Sequence, residues 1–300
     1  VTYKYDALDD FAGAGGWDEG ARLLGLTFLG IDNDDTACAT AEHAGHARFR
    51  FDVQDFPGAT GVPGYVASPP CTDFSPAGLG RGEDGPTGHL VHWPARRIAE
   101  MRPEWVALEQ VPRVLPIWQA LARQLRADGW SVWTGVLDTA DYGVPQNRLR
   151  AILIGSRVRR VGPPTPTHSE DPDNLLGLPA HVTLADVLGI GPGWEYDSGQ
   201  NSQLAGGQLA RYVRSCDRPA GTLTTKAASQ WNLRRGDERR RLSIDEAAAL
   251  QTFRAGYPWK GRREDQLRQI GNAVPPLFAA HVIAAAAGVP VPADLCGALA

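Results

Sequence analysis

Short apolar runs alternate with helix-length stretches through the first half of this 300-residue chain, and that alternation confines it to a doubly wound α/β sheet. Strands are expected at 5–11, 27–31, 64–67, 105–108, 131–137 and 149–155, with a further strand ending at Asp52. Helices are expected at 18–24, 35–43, 90–100 and 117–127. The strand at 149–155 follows turn signals at 142–145 and pairs with its predecessor, which ends the sheet. The stretch 75–88 mixes proline, glycine and charge without periodicity and reads as a long surface loop.

Periodicity fades from about Arg157, past Pro163, Pro164 and Pro166, to about Gly261. That interval, 159–263, reads as a smaller, loop-rich second domain. The Ala-rich stretch 274–287 has Pro275 and Pro276 in its first turn, where proline is tolerated, and reads as a helix that returns to the first domain. The first domain is therefore expected to comprise 1–158 and 264–300.

Cys38, Cys71, Cys216 and Cys296 are scattered and form no CxxC pair, so neither a zinc site nor a disulfide framework is expected. No leader and no bilayer-spanning run is read, which fits a cytoplasmic protein without a membrane partner. The net charge of -4 argues by its sum against a nucleic-acid binder. Distribution matters more, because Arg234, Arg235, Arg239, Arg240 and Arg241 crowd together while Asp32, Asp34, Asp35, Asp52 and Asp55 crowd the first third. Taken alone, such an arginine run is a solvated surface.

Candidate chemistry is carried by a few short segments. The glycine-rich turn from Asp10 to Gly16 joins the first strand to the first helix, where a nucleotide approaches backbone closely, yet Asp18 stands where a dinucleotide fingerprint needs glycine. Asp32 ends the second strand, a place where acids accept from ribose hydroxyls. The segment Ser68-Pro69-Pro70-Cys71 sets a cysteine at the mouth of a strand before a long loop, a poor place to bury a thiol; Arg148 and Arg150, on one face of the last strand, are candidates to favour its ionised form. Glu109 ends the next strand, so Cys71 and Glu109 both emerge at the carboxyl edge where such sheets bind ligands. A Gly271-Asn272 turn precedes the last helix and reads as its cap or as part of a ligand frame.

These segments, FAGAGG at 11–16, SPPCTDFS at 68–75, LEQV at 108–111, PQNRLR at 145–150, RPAGTLTT at 218–225 and IGNAVPP at 270–276, resemble in this order the DNA (cytosine-5) methyltransferase family of prokaryotic or phage type. The resemblance implies a mostly parallel, Rossmann-like methyltransferase sheet with one antiparallel strand, plus a small target-recognition domain at 159–263. It implies S-adenosyl-L-methionine as cofactor, left as S-adenosyl-L-homocysteine, in a pocket lined by Phe11, Gly13, Gly15, Asp32, Asp52 and Pro70, which also shapes the turn that presents the thiol, with Asn272 closing the pocket; no metal is implied. Cys71 is the implied nucleophile towards a flipped-out cytosine, and Glu109, Arg148 and Arg150 grip the ring. The 75–88 loop is the implied lid, and Arg81, Thr225, Arg234 and Arg235 are the implied contacts to duplex DNA, with Trp231 as either groove contact or core. A monomer is expected, with a restriction endonuclease as a partner in the same system. The chain departs from the family pattern at Gln110, where asparagine is usual, and at Thr72, where glutamine is usual. An RNA cytosine-5 methyltransferase of this fold and a catalytically silent DNA-binding regulator are the alternatives.

Overall fold

In the computed structural model the first strand, β1 (Ala7–Asp10), lies in the middle of the main sheet. The structure describes residues 5–59, 61–74, 81–171, 173–203, 209–224, 231–293 and 295, with backbone alone at 198–203 and 209–212. After β1 come α1 (Gly16–Leu23), β2 (Phe28–Asp32), α2 (Asp35–His43), β3 (Ala47–Arg50), β4 (Gly64–Ala67), α3 (Trp93–Met101), β5 (Trp105–Gln110), α4 (Leu115–Ala127), β6 (Ser131–Asp138) and β7 (Leu149–Ser156). Their order across the sheet is β3-β2-β1-β4-β5-β7-β6. The first five are mutually parallel, and β7 runs antiparallel to both β5 and β6. The reversal follows from the short β6–β7 connection, since parallel neighbours need a crossover of a dozen or more residues.

Local chemistry sets the boundaries. Asp34 caps α2 by accepting from the Thr36 and Ala37 amides, so the helix starts where the sequence places it. β1 stops at Asp10, short of the expected 11, because Phe11 turns to φ 63°. The segment expected as a helix over 90–100 begins as a 3-10 turn, Gly88–His92, and becomes α-helical at Trp93. β3 ends at Arg50, so Asp52 lies two residues past the strand it was expected to end.

The interval read as loop-rich carries a second, antiparallel sheet. After α5 (Leu184–Leu188) come β8 (Glu195–Gln203), β9 (Leu209–Ser215), β10 (Asn232–Arg235) and β11 (Glu238–Arg241), in the order β11-β10-β8-β9. Then follow α6 (Ile244–Leu250), α7 (Arg263–Asn272) and α8 (Pro276–Ala287). The sequence reading did not foresee α7. Gly271 and Asn272 are its last residues, and the cap of α8 is Pro275 without a side-chain bond, so the expected Asn272 cap is not formed.

Three cores result. Leu8, Tyr65, Leu108, Ile98 and Trp118 fill the α3–α4 side of the main sheet, and Ala7, Val66, Trp17, Phe278 and Val282 fill the α1–α8 side. On that side Gly16 and Gly20 bring α1 onto the start of α8: a Cβ at Gly16 would stand 2.3 Å from the Val274 carbonyl oxygen, and one at Gly20 2.6 Å from Ala279 Cβ. The third core joins Trp194, Tyr196, Trp231, Leu233, Phe253 and Leu267. Trp231 stacks on Tyr196 at 4.5 Å and is core. By length and hydropathy 263–287 passes as membrane-spanning, against the sequence reading, but 78% of its apolar window is buried inside the protein, as in a core helix.

Candidate active site

β1, β2, β4 and β5 end along one edge of the main sheet, and the candidate residues gather there. Beyond β1 the chain needs left-handed backbone three times, at Phe11 (φ 63°), Gly13 (φ 53°) and Gly15 (φ 104°). Gly15 is held by packing, since a Cβ there would meet the Tyr257 hydroxyl at 2.8 Å; Gly13 has nothing within 4 Å. The Gly13 amide donates to Asp32 Oδ2 at 2.8 Å, and the Asp34 amide donates to Asp32 Oδ1 at 2.8 Å. Beneath this loop Arg48 passes over Gly30 to reach Asp18 at 2.9 Å. Burial, with Asp18 nearby, pushes the Asp9 carboxyl well above the usual range.

A cavity of about 330 Å³ opens beside the loop, lined among others by Phe11, Asp32, Asn33, Asp52, Val53 and Pro70. Its lining fits a nucleoside, with two carboxylates near strand ends to accept from hydroxyls and apolar walls from Phe11, Val53 and Leu90. Four expected pocket residues therefore line one cavity. Gly13 supports it through Asp32, Gly15 sits under Tyr257, and exposed Asn272, at the end of α7, does not line it. A second cavity of about 320 Å³, between α3 and α4, holds none of the expected residues.

Cys71 is half-buried just past β4. Gln110, 1% exposed at the end of β5, donates from Nε2 to the Pro69 carbonyl at 2.9 Å and accepts from the Val111 amide, so it pins the turn that presents Cys71. Asp73 holds the base of the following loop, accepting from the Thr87 amide at 2.9 Å and hydroxyl at 2.8 Å while its carbonyl takes the Gly82 amide. Residues 75–80 of the expected lid lie outside the described residues, and Arg81 is exposed.

Glu109 is 7% exposed, and its Oε1 lies 2.7 Å from Arg150 Nε. Burial, then the Glu109 carboxylate, raises the Cys71 thiol above its ordinary value, against the pull of Arg150 and Arg148. The two arginines thus oppose the rise without reversing it. They also differ from each other. Arg148 donates to the carbonyls of Leu223 (3.1 Å), Gly271 (3.0 Å) and Ala273 (3.3 Å), bracketing the second sheet's flank and the α7–α8 junction to β7. Burial and Arg150 lower its guanidinium to about 9, and its Nε has no partner among the described residues.

The sequence reading missed Gln146 and Gln251. Gln146, fully buried, accepts from the Leu223 amide at 2.8 Å and donates to Gln251 Oε1 at 3.1 Å, while Gln251 donates to the Ile270 carbonyl at 2.7 Å. Together with the Asn147 amide on Ala220, they dock segments far apart in the chain. For Gln251 the signal available was a polar residue directly after the apolar run Ala247–Leu250; Gln146, beside Asn147 and Arg148, gave none. Of the expected DNA contacts, Arg234 pairs with Glu195 at 2.8 Å and Arg235 with Glu238 at 3.4 Å, and Thr225 lies outside the described residues. Arg235 and Arg240 also lie over the Trp194 ring, at 5.0 and 5.7 Å. No group of three potential metal ligands occurs among the described residues.

A family model described as C-5 cytosine-specific DNA methylase matches residues 5–189 and 193–287. The Type II methylase M.HgiDII of Herpetosiphon aurantiacus is 29% identical over 334 aligned positions, covering 89% of this chain and 91% of that protein. The Type II methyltransferase M1.HphI of Haemophilus parahaemolyticus is 26% identical, covering 91% of this chain and 84% of its own. Among solved structures, the Entamoeba histolytica methyltransferase EhMeth superposes with a TM-score of 0.65 at 14% identity, over 94% of this chain and 97% of that one. The S. pombe Dnmt2 methyltransferase gives 0.64 at 16% identity, over 93% and 96%. At these identities the structural likeness is one of fold.

Proposed function

We propose that this chain, which belongs to the C-5 cytosine-specific DNA methylase family and is a DNA cytosine-5 methyltransferase, methylates cytosine by a covalent route through Cys71 with S-adenosylmethionine as donor. The observation that carries this reading is the meeting of Cys71 with the Glu109–Arg150 pair on the sheet edge that also bears the cavity. Phe11, Asp32, Asp52, Val53 and Pro70 would hold the cofactor, its apolar base between Phe11 and Val53 and its ribose against the carboxylates. When bound, S-adenosylmethionine supplies an electrophilic methyl group and is left as S-adenosylhomocysteine.

Carbon 5 of cytosine is a weak nucleophile and must be activated. The Cys71 thiolate adds to carbon 6, forming the S–C6 bond as the C5=C6 electron pair moves towards carbon 5. Glu109, the carboxylate of the Arg150 pair in the free protein, takes up a proton with the base and shares it with ring nitrogen 3, which stabilises that charge; Arg150 holds the Glu109 side chain in place. After carbon 5 is methylated, its proton leaves to a base such as water, the C5=C6 bond re-forms and the thiolate is expelled. Arg148 acts as a bracket, its one unpartnered nitrogen free for the base.

The target nucleotide must leave the duplex, which costs roughly a few kcal/mol. The loop beyond Asp73 is the proposed cover, with Arg81 and Thr225 at the DNA. The 159–263 segment is the proposed target-recognition domain, with 1–158 and 264–300 as the catalytic domain. Duplex DNA is the substrate in this reading, for a monomer in the cytoplasm beside a restriction endonuclease, in keeping with the relatives' Type II names. Trapping on a 5-fluorocytosine duplex tests it: wild type forms a linked species with S-adenosylmethionine, and Cys71→Ala forms none. Methyl transfer undiminished in Cys71→Ala would overturn the covalent route.

A further inference from the structure

We propose that Arg97 is a positioning residue for the cofactor cavity, setting the distance between its two walls through a buried link from Asp10 to the 53–56 turn. The proposal rests on the reading of that cavity as the S-adenosylmethionine pocket. Asp10 is a fully buried carboxylate at the end of β1, next to the equally buried Asp9, and Arg97 is 1% exposed on α3. Arg97 Nε donates to Asp10 Oδ2 at 3.0 Å, and the same oxygen takes Trp93 Nε1 at 3.0 Å and the Tyr65 hydroxyl at 3.2 Å.

The other end of the guanidinium engages a different segment. Its Nη2 donates to the carbonyls of Val53 (2.9 Å) and Phe56 (3.0 Å), and its plane lies 5.7 Å from the Phe56 ring and 5.1 Å from that of Trp93. Gly58, at φ 87°, leaves room for it: a Cβ there would stand 2.9 Å from Nη1. Asp10 directly precedes Phe11, and Val53 follows Asp52, so one side chain ties the Asp10 carboxylate beside one wall to the backbone carbonyls of the segment that forms the other.

A buried ion pair is a poor device for stability, because apolar groups of similar volume often serve as well or better. What apolar groups cannot supply is the pair of donors to Val53 and Phe56, carbonyls of a turn outside any sheet ladder. Without them the turn loses its anchor, and the cavity its fixed width. Cys71 follows β4 and Glu109 lies near the end of β5, away from the Asp10–Arg97 link, so the chemical step is expected to keep its rate once the cofactor is bound.

Calorimetric binding of S-adenosylhomocysteine separates this role from mere folding. Arg97→Met alone strands the Asp10 carboxylate, so the informative variant is Asp10→Leu with Arg97→Leu, alongside the conservative Arg97→Lys. We expect the double variant to melt below wild type, since Trp93 Nε1 and the Tyr65 hydroxyl lose their acceptor, yet to be folded at the assay temperature, to bind S-adenosylhomocysteine about ten- to a hundredfold more weakly, and to raise KM for the donor in step with kcat changed less than about threefold. Arg97→Lys should fall between. Amide exchange across 51–58 in the free protein should quicken in both. Wild-type affinity in Arg97→Lys and the double variant, or a loss in kcat with affinity intact, would overturn the proposal. Asp32→Ala is the control on the pocket: if it too binds normally, the pocket reading fails; if it loses binding while the Arg97 variants keep it, only the role of Arg97 fails.

Discussion

Arg150 Nε and Glu109 Oε1 lie 2.7 Å apart, on antiparallel neighbours where Glu109 pairs in register with Ile152. The reversed strand therefore brings a cation to an acid that a parallel strand would have met only through a crossover. The pair fixes the Glu109 carboxyl while leaving the adjacent thiol in its field.

That field has a sign that can be measured. Because Glu109 raises the Cys71 thiol, Glu109→Gln should lower its pKa and speed alkylation by iodoacetamide near neutral pH. Turnover should fall, by about 10²–10⁴, as a general acid is lost. Slower alkylation in this variant would contradict the electrostatic arrangement.

Gln110 offers a test of the turn that carries the thiol. Gln110→Ala removes the donor to the Pro69 carbonyl, and leaving such a buried acceptor unsatisfied costs about 1–3 kcal/mol. We expect kcat to drop about tenfold or more with S-adenosylhomocysteine affinity kept. Equal kcat in Gln110→Ala and wild type would remove the positioning role.

Within the β10–β11 hairpin, Arg234, Arg235 and Arg240 are matched to Glu195, Glu238 and Glu246, whereas Arg239 and Arg241 have no carboxylate partner among the described residues. The unmatched pair should therefore face the phosphates. Neutralising Arg239 and Arg241 is expected to reduce the slope of log affinity against log salt by about 0.9 for each phosphate that goes unneutralised, and Arg234→Ala with Arg235→Ala much less. The opposite order in a fluorescence-anisotropy titration would move the phosphate-binding role to Arg234 and Arg235.

His281, on α8 against Tyr142, should make the fold acid-sensitive. Burial, with His168 near, lowers it from 6.5 to about 4. Since the folded value is depressed, its stabilisation is whole above about pH 6.5 and is lost as pH falls towards 4, for a total of about 3 kcal/mol. Thermal melts between pH 7 and 5 should slope downward, and His281→Leu should flatten them; an unchanged slope would point to other groups.

Where the chain's own local chemistry decides, the sequence is readable. The Asp34 cap starts α2, and the apolar run at Gly64–Ala67 is a strand at those residues. Cys71 and Glu109 are legible because one follows the end of β4 and the other lies near the end of β5, so that both come to one edge of the sheet. The small sheet escapes because β8, β10 and β11 are built from polar and charged residues, with burial supplied by Tyr196, Trp231 and Leu233. α7 escapes for a similar reason, since only Leu267 and Ile270 give its polar sequence an inner face. Neither the carbonyl bonds of Arg148 nor the Asp10–Arg97 link leaves a local trace, because their partners lie tens of residues away.

The close seat of Gly16 and Gly20 on the start of α8 has a consequence for how the protein is made. On the ribosome, α1 emerges before either sheet is complete and α8 only after both, so the growing polypeptide must carry an unsealed groove until α8 follows. A nascent chain halted anywhere in the small sheet would expose that groove to chaperones and proteases. Conversely, two separately produced fragments divided within that region would each hold half of the seal, and each would need the other to become an enzyme.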